Sequence, residues 1–324
     1  MKNILVLGGS GFVGASVCEQ LVRAGHRVTV PTRRWNNARS VLPLPFVTVL
    51  EMDVHDSAAL TRVAAGHDAV VNLVAILHGD DAAFKRAHVD LPQKIADACY
   101  RTAVGHIVQV SALGADPSQP HSRPSRYLRS KSLGEASLLA NAGRTALTVL
   151  RPSVVFGAHD RFLNVFAALQ KVAPVVPLAC AQARFQPVWV EDLARAIVLC
   201  LQQVPHKPRT LEACGPEVFT LAQLVQLAGR LSGANAGLGR PVLALPQWAG
   251  YLQARLMELK PGEPLLSRDN LGSMQLPNVA TPGMPGLQSL GLEPAALEPI
   301  ARDYLSQGAP WHELLGVRRR AHRH

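Results

Sequence analysis

The chain has 324 residues, 48% of them hydrophobic, so it can bury a sizeable core as one large or two smaller domains, and general disorder is excluded. Its formal charge of +10 comes mostly from arginine, which supplies 26 of the 33 basic residues. The charge forms no nucleic-acid-like stripe, so we expect no nucleic acid as partner and an anionic cofactor, an acidic partner or an anionic membrane surface instead.

The first apolar run, NILVLGG from Asn3, reads as a strand. We therefore expect no signal or transit peptide before it and a cytoplasmic location. The turn that follows, LGGSGFVGASV, carries Gly8, Gly11 and Gly14 and leads into helical spacing that ends at Gly25. A tight turn, close backbone approach to a pyrophosphate and close helix-strand packing each require a missing Cβ. The helix start, with Ser10, Phe12 and Val13, supplies N–H groups and a dipole for phosphate. Strand, glycine turn, helix and second strand in succession point to a bound dinucleotide.

The second strand, RVTVPTRR, ends with Thr32, Arg33 and Arg34. NAD sites usually place a carboxylate there for the adenosine ribose. None is available here and two guanidiniums suit a 2′-phosphate, so NADP(H) is expected in preference to NAD(H). A third strand, VTVLEMDV, brings Asp53 and Val54 near the adenine. After a helix between Asp56 and His67, the nearly continuous apolar run DAVVNLVAIL reads as a strand covered on both faces. Its end, Asn72 with Leu73, Val74 and Ala75, falls beside the cofactor's sugars.

LPQKIADACYRTAVG is a helix and GHIVQVSAL a fifth strand, closed by Ser111 and Ala112. The long helix SRYLRSKSLGEASLLANAG contains Tyr127 and Lys131, four residues apart and so on one helical face. With four Tyr and seven Lys in the chain, chance alone gives this spacing about once in ten such sequences, so its meaning comes from its surroundings. The strand TALTVLRPSVVFG follows, with Pro152 and Val154 beside the expected nicotinamide.

This alternation predicts an α/β fold, a Rossmann-type doubly wound parallel sheet over residues 1–157 with a smaller C-terminal lobe over 158–324. The segment FQPVWVEDLARAIVLCLQQ holds a helix near 191–203 that we assign back to the first domain. The lobe should lie over the carboxyl ends of the strands, where ligands bind in such sheets. His159, Asp160 and Arg161 are candidates for the mouth of that cleft or for a loop salt bridge. In residues 246–262, Trp248, Tyr251, Leu252, Leu256 and Leu259 recur at helical spacing, expected as lobe packing, with an apolar face for a quinone, lipid surface or partner as the sharper alternative. The basic terminus VRRRAHRH reads as a tail. No uninterrupted apolar run reaches membrane-span length. Five cysteines without a CxxC pair, and histidines without HxxH or HExxH spacing, predict reduced core thiols and no metal.

Gly8-x-x-Gly11-x-x-Gly14, the strand end from Asn72 to Ala75, Tyr127-x-x-x-Lys131 and RPSVVFG together resemble the extended short-chain dehydrogenases/reductases. More narrowly, SRYLRSK, HDRFLNVFA and QPVWVEDLA resemble an atypical branch that holds the NADPH-binding accessory subunit of respiratory complex I and its bacterial relatives. The resemblance runs from Met1 to about Leu305 and favours a bacterial member. It implies a bound NADPH that need not turn over and a partner in a respiratory complex or in quinone biosynthesis, with peripheral contact at the inner face of a membrane.

The resemblance also implies a mechanism. Lys131 would bind the nicotinamide ribose and lower the Tyr127 pKa; Tyr127 would exchange a proton with the substrate oxygen; Ser111 would polarise that oxygen. Many relatives end the fifth strand with two hydroxyl residues, and here the second place is Ala112, so Ser111 is either the polarising group or the first of that pair. Two alternatives stand beside this reading. One is a stand-alone NADPH-dependent reductase or epimerase/dehydratase acting on an apolar or nucleotide-linked substrate not identified by sequence. The other is an NADP(H)-sensing regulator.

Overall fold

The computed structural model describes residues 1–259, 264 and 266–306. The basic terminus and residues 260–262 of the 246–262 segment lie outside the described residues.

The first half folds as six strands, β1 (Asn3–Leu7), β2 (Arg27–Thr32), β3 (Val47–Glu51), β4 (Ala69–Asn72), β5 (His106–Val110) and β6 (Ala146–Pro152). Between them run α1 (Phe12–Arg23), α2 (Ser57–Ala64), the short α3 (Asp81–Lys85), a π-helical turn (Arg86–Asp90), α4 (Leu91–Thr102) and α5 (Arg126–Asn141). Local chemistry sets several boundaries. The Asp56 carboxylate accepts from the N–H groups of Ala58 and Ala59 to start α2, and the Ser125 hydroxyl accepts from Leu128 N to start α5. Past the end of α1, Gly25 adopts φ +78°, a conformation that favours glycine.

The second half adds β7 (Val155–Phe156), α6 (Leu163–Val172), β8 (Val176–Leu178), β9 (Arg184–Phe185), β10 (Val188–Trp189), α7 (Val190–Gln202) and β11 (Arg209–Ala213). Then come β12 (Phe219–Thr220), α8 (Leu221–Leu231), β13 (Val242–Ala244), α9 (Gln247–Glu258), α10 (Arg268–Ser273) and α11 (Leu297–Leu305).

The main sheet has the order β11-β6-β5-β4-β1-β2-β3, and every neighbouring pair is parallel. This is the doubly wound arrangement, with the order reversing between β1 and β4. One face is covered by α1 and α7 through Val17, Leu21, Leu193 and Ile197. The other is covered by α2, α4 and α5 through Leu60, Leu91, Ile95 and Leu138. Cys18 and Cys99 sit in these layers, and burial pushes both thiols up to about 12, which makes them unreactive packing groups.

The sheet also draws on chain beyond residue 157. Its edge strand β11 pairs with β6 from Arg209↔Thr148 to Ala213↔Pro152, and Leu287, Leu290 and Leu292 join the α1/α7 layer. The lobe has its own core where α6, α8 and α11 meet, with Phe156, Leu163, Leu224, Val225 and Ala301 buried. The sequence TALTVLRPSVVFG divides into β6 and β7 because the chain turns on Asn278. The Asn278 side-chain oxygen accepts from Ser153 Oγ at 2.6 Å and from Val154 N at 3.0 Å, and β7 then pairs with β10 outside the main sheet.

Candidate functional site

The β1/β4 register pairs Leu7 with Asn72, so the turn after β1 and the chain leaving β4 emerge side by side. Gly8 has φ +79°, and a Cβ there would lie 3.1 Å from both Leu73 C and Val74 N. A Cβ on Gly14 would lie 2.2 Å from Gly8 O and 2.6 Å from Gly9 C, so the α1 backbone rests directly on the turn. Gly11 is the N-cap of α1 and no side chain caps that end. The opening turn of the helix, with Phe12 and Val13, thus keeps N–H groups available beside half-buried Ser10. A closely packed glycine turn under an uncapped helix start fits a pyrophosphate.

At the end of β2, Thr32 is buried and its hydroxyl donates to Arg34 O at 3.1 Å. Arg33 and Arg34 are exposed, and neither forms an ion pair among the described residues. Asp53 lies two residues beyond β3, in the turn rather than at the strand end. Its carboxylate accepts from His55 N at 2.9 Å and pairs with Arg86 at 3.2 Å. Val54 is half-buried against the α2/α4 layer. Burial lowers the His55 pKa, followed by the Arg86 charge and, more weakly, Arg33, so His55 stays neutral in a basic corner.

β4 stops at Asn72, earlier than its apolar run suggests. The buried Asn72 amide donates to Gln109 Oε1 at 2.8 Å and its oxygen accepts from Val74 N at 3.1 Å, which turns residues 73–75 out of the sheet. Leu73 and Val74 are half-buried and Ala75 is exposed along this exit.

Tyr127 and Lys131 occupy the first turns of α5, with the Lys131 ammonium 6.0 Å from the Tyr127 ring centre. Lys131 is buried and donates to Val110 O at 3.3 Å, next to Ser111. The Ser111 hydroxyl is buried and has no hydrogen-bond partner among the described residues, while Ala112 beside it is also buried. Burial pushes the Lys131 pKa down to about 8 against an opposing pull from Glu135, and pushes Tyr127 up to about 12. The protein alone therefore raises the phenol, where the sequence reading expected Lys131 to lower it. Desolvation is the larger effect on a half-buried ring packed edge-on against two others.

Two of those rings were missed from sequence. His88 meets Tyr127 edge-on at 5.6 Å and Phe84 meets it at 6.5 Å. His88 Nε2 accepts from Ile76 N at 3.1 Å, so Nδ1 carries the proton to Ser130 Oγ at 2.8 Å, and Ser130 in turn donates to Tyr127 O. Burial, then the Lys131 charge, pushes the His88 pKa down to about 2, so the ring is a neutral prop for Tyr127. A Cβ on Gly134 would lie 1.9 Å from His88 O, so this glycine lets α5 approach the π-helical turn. That glycine was the available signal.

Opposite, Pro152 closes β6 and accepts from Leu113 N at 3.0 Å, with half-buried Val154 following. Arg151 points back to α5 and holds the buried Glu135 through two nitrogens, at 3.0 and 2.5 Å. Asp160 is buried in its own loop, accepting from Gly157, Phe162 and Asn164 N–H groups and from Tyr304 OH, so it organises the entry to α6. His159 beside it is exposed.

The lobe reaches the site through α10. Asp269 accepts from Arg126 N at 2.7 Å and Tyr127 N at 3.1 Å, and Ser273 donates to Ser125 Oγ at 2.7 Å. A cavity of about 260 Å³ opens between the lobes, with Leu77, Phe84, Arg126, Glu258 and Asp269 among its walls. Its wall residue Phe84 belongs to the aromatic group around Tyr127.

Residues 4–214 match the NAD dependent epimerase/dehydratase family. The chain is 29% identical over 300 residues to the mitochondrial NADH dehydrogenase [ubiquinone] 1 alpha subcomplex subunit 9 of Mus musculus, covering 90% of this chain and 77% of that one. It is 25% identical over 305 residues to the mitochondrial NADH-ubiquinone oxidoreductase 40 kDa subunit of Neurospora crassa, covering 93% and 78%. Among solved structures, MoeE5 in complex with UDP-glucose and NAD aligns with a TM-score of 0.69 at 18% identity over 97% of this chain and 99% of that chain.

Proposed function

The chain belongs to the NAD dependent epimerase/dehydratase family, and from that premise we propose that it is an NADP(H)-binding atypical short-chain dehydrogenase/reductase tied to respiratory complex I or quinone metabolism. The observation that carries the cofactor reading is the meeting of three features at the carboxyl ends of the parallel strands. These are the uncapped helix start over Gly8 and Gly14, the buried Lys131 beside the Ser111 hydroxyl, and the exposed Arg33 and Arg34 at the end of β2, with Ser111, Arg33 and Arg34 lacking side-chain partners among the described residues. Gly8, Ser10, Gly11, Phe12, Val13 and Gly14 would hold the pyrophosphate. Thr32, Arg33 and Arg34 would hold the adenosine end, with Asp53 and Val54 near the base. Leu73, Val74, Ala75, Pro152 and Val154 would flank the sugar and nicotinamide. Similarity to the two mitochondrial subunits supports the respiratory partner. No helix among the described residues is long and apolar enough to cross a membrane.

When bound, the nicotinamide supplies a hydride donor or acceptor. The chain's own groups would do the rest. Lys131 would transfer its hydrogen bond from Val110 O to the ribose. Ser111 would satisfy its hydroxyl on the substrate oxygen or the cofactor. Tyr127 would exchange a proton with that oxygen at its phenol. A phenol pushed up to about 12 is protonated at neutral pH but is a weaker acid than a free phenol, so proton transfer at Tyr127 would need its surroundings in the occupied site to bring it down.

Mass spectrometry of the purified protein tests this reading. Retained NADP(H) with a quinone-like compound supports it. A retained sugar nucleotide would favour the epimerase/dehydratase alternative.

A further inference from the structure

α9 is turned inside out for a helix of a water-soluble lobe. Its buried residues are small: a Cβ on Gly250 would lie 2.7 Å from Ala179 Cβ, and Ala254 packs with Ala179 and Leu271. Its large apolar residues face water instead, with Trp248, Leu252, Leu256 and Leu259 exposed by 71%, 51%, 61% and 77%. Their spacing gathers them into one stripe. The sequence expectation of lobe packing is therefore corrected: the lobe accepts the small side of α9 and leaves the large side uncovered.

The charges around the stripe identify the cover. Arg255 is exposed within it and makes no ion pair among the described residues. Along the flank marked by Tyr251, a hollow of about 370 Å³ is lined by Arg126, Arg129, Arg268 and Asp269. Arg129 makes no ion pair among the described residues. Arg268 pairs with Glu258 at 2.8 Å, Arg126 pairs with Asp81 at 3.6 Å and Asp269 at 3.7 Å, and Asp269 is also engaged by the N–H groups that open α5. The balance of the face is positive, as is the chain at +10. A second copy packed on the same face would bring arginine against arginine. An anionic lipid surface instead meets both features, apolar at acyl depth and negative at the phosphates.

We propose that α9 and the adjoining arginine-lined hollow dock the protein on a bilayer surface containing anionic phospholipid. The Trp248-Leu252-Leu256-Leu259 stripe enters the interface, and Arg129 and Arg255 meet lipid phosphates. Glu258, at the end of the same helix, also lines the cavity that reaches Phe84, so the docked face carries the mouth of the cleft. A substrate with an apolar tail could then enter without leaving the bilayer. This deepens the membrane part of the reading above and does not depend on which cofactor is bound.

The test is flotation of the full chain with phosphatidylcholine vesicles, alone or containing one-third phosphatidylglycerol. The protein is expected to float with the anionic vesicles at least tenfold more than with the neutral ones. A Trp248→Ser/Leu252→Ser/Leu256→Ser variant should lose at least fivefold of that binding, with unchanged melting temperature and NADPH affinity. Absence of flotation on anionic vesicles would overturn the proposal. So would wild-type flotation by the triple variant, which would assign binding to other basic segments. A dimeric wild type that the triple variant makes monomeric, without lipid binding in either, would identify a second copy as the cover. Titration of NADPH on the same samples reads the cofactor proposal separately.

Discussion

The ammonium of Lys131 lies 6.0 Å from the centre of the Tyr127 ring, one helical turn along α5, and burial moves the two groups in opposite directions. Lys131 falls to about 8 and Tyr127 rises to about 12. Because the folded Lys131 pKa lies below its value of 10.5 in a free chain, the charged lysine destabilises the fold below pH 8. That cost is relieved as pH rises from about 8 to 10.5, where the unfolded chain binds the extra proton. Lys131→Met should therefore be more stable than the wild type at pH 7, by about 2 kcal/mol, without cofactor. The gain should vanish near pH 10.5 in denaturant titrations. The same variant should bind NADPH at least tenfold more weakly.

Gly14→Ala places a methyl 2.2 Å from Gly8 O and 2.6 Å from Gly9 C, both backbone. Helix α1 must move off the turn to admit it. We expect a loss of about 2–4 kcal/mol in stability, as for other overpacked junctions, and loss of measurable NADPH binding. Gly25→Ala, with nothing within 4 Å but φ +78°, is the control: it should cost about 1 kcal/mol and leave the binding constant unchanged.

Glu135 is buried and held by two nitrogens of Arg151, which ties α5 to the β6 strand end. Removing one charge leaves the other uncompensated. Arg151→Met should destabilise the protein by about 3–5 kcal/mol, and Arg151→Met/Glu135→Leu should recover most of that loss. Equal destabilisation in the single and double variants, measured by chemical denaturation, would show that the pair is not the cause.

Asp269 reaches from the lobe to cap the start of the helix that carries Tyr127. Asp269→Ala should cost about 1 kcal/mol, as for other lost caps. Faster amide exchange at Arg126 and Tyr127 than in the rest of α5 is the accompanying signature.

Most strands and helices of the first half were legible because each has one dominant signal, but the short α3 and the π-helical turn after it were not. The first strand is apolar throughout, the glycines sit where the backbone crowds, and Asp56 and Ser125 stand as caps. The edge strand β11 was not legible. It is short, and its buried Glu212 breaks the apolar run; that acid is satisfied by Thr281 N and Oγ1, 69 residues later. His88 was missed for a similar reason. Its partners are Ile76, Ser130 and the Tyr127 ring, and none forms a spacing pattern with it. The periodicity of α9 was read correctly, but periodicity identifies an apolar side without saying what covers it.

We propose an NADP(H) site whose preference is set by Arg33 and Arg34, which have no acidic partner among the described residues. Fluorescence titration of the purified protein with NADPH and NADH measures it most directly. NADPH should bind more tightly, by tenfold or more, and the preference should collapse in Arg33→Ala/Arg34→Ala through weaker NADPH binding at unchanged NADH affinity. Equal or tighter binding of NADH by the wild-type protein would contradict it.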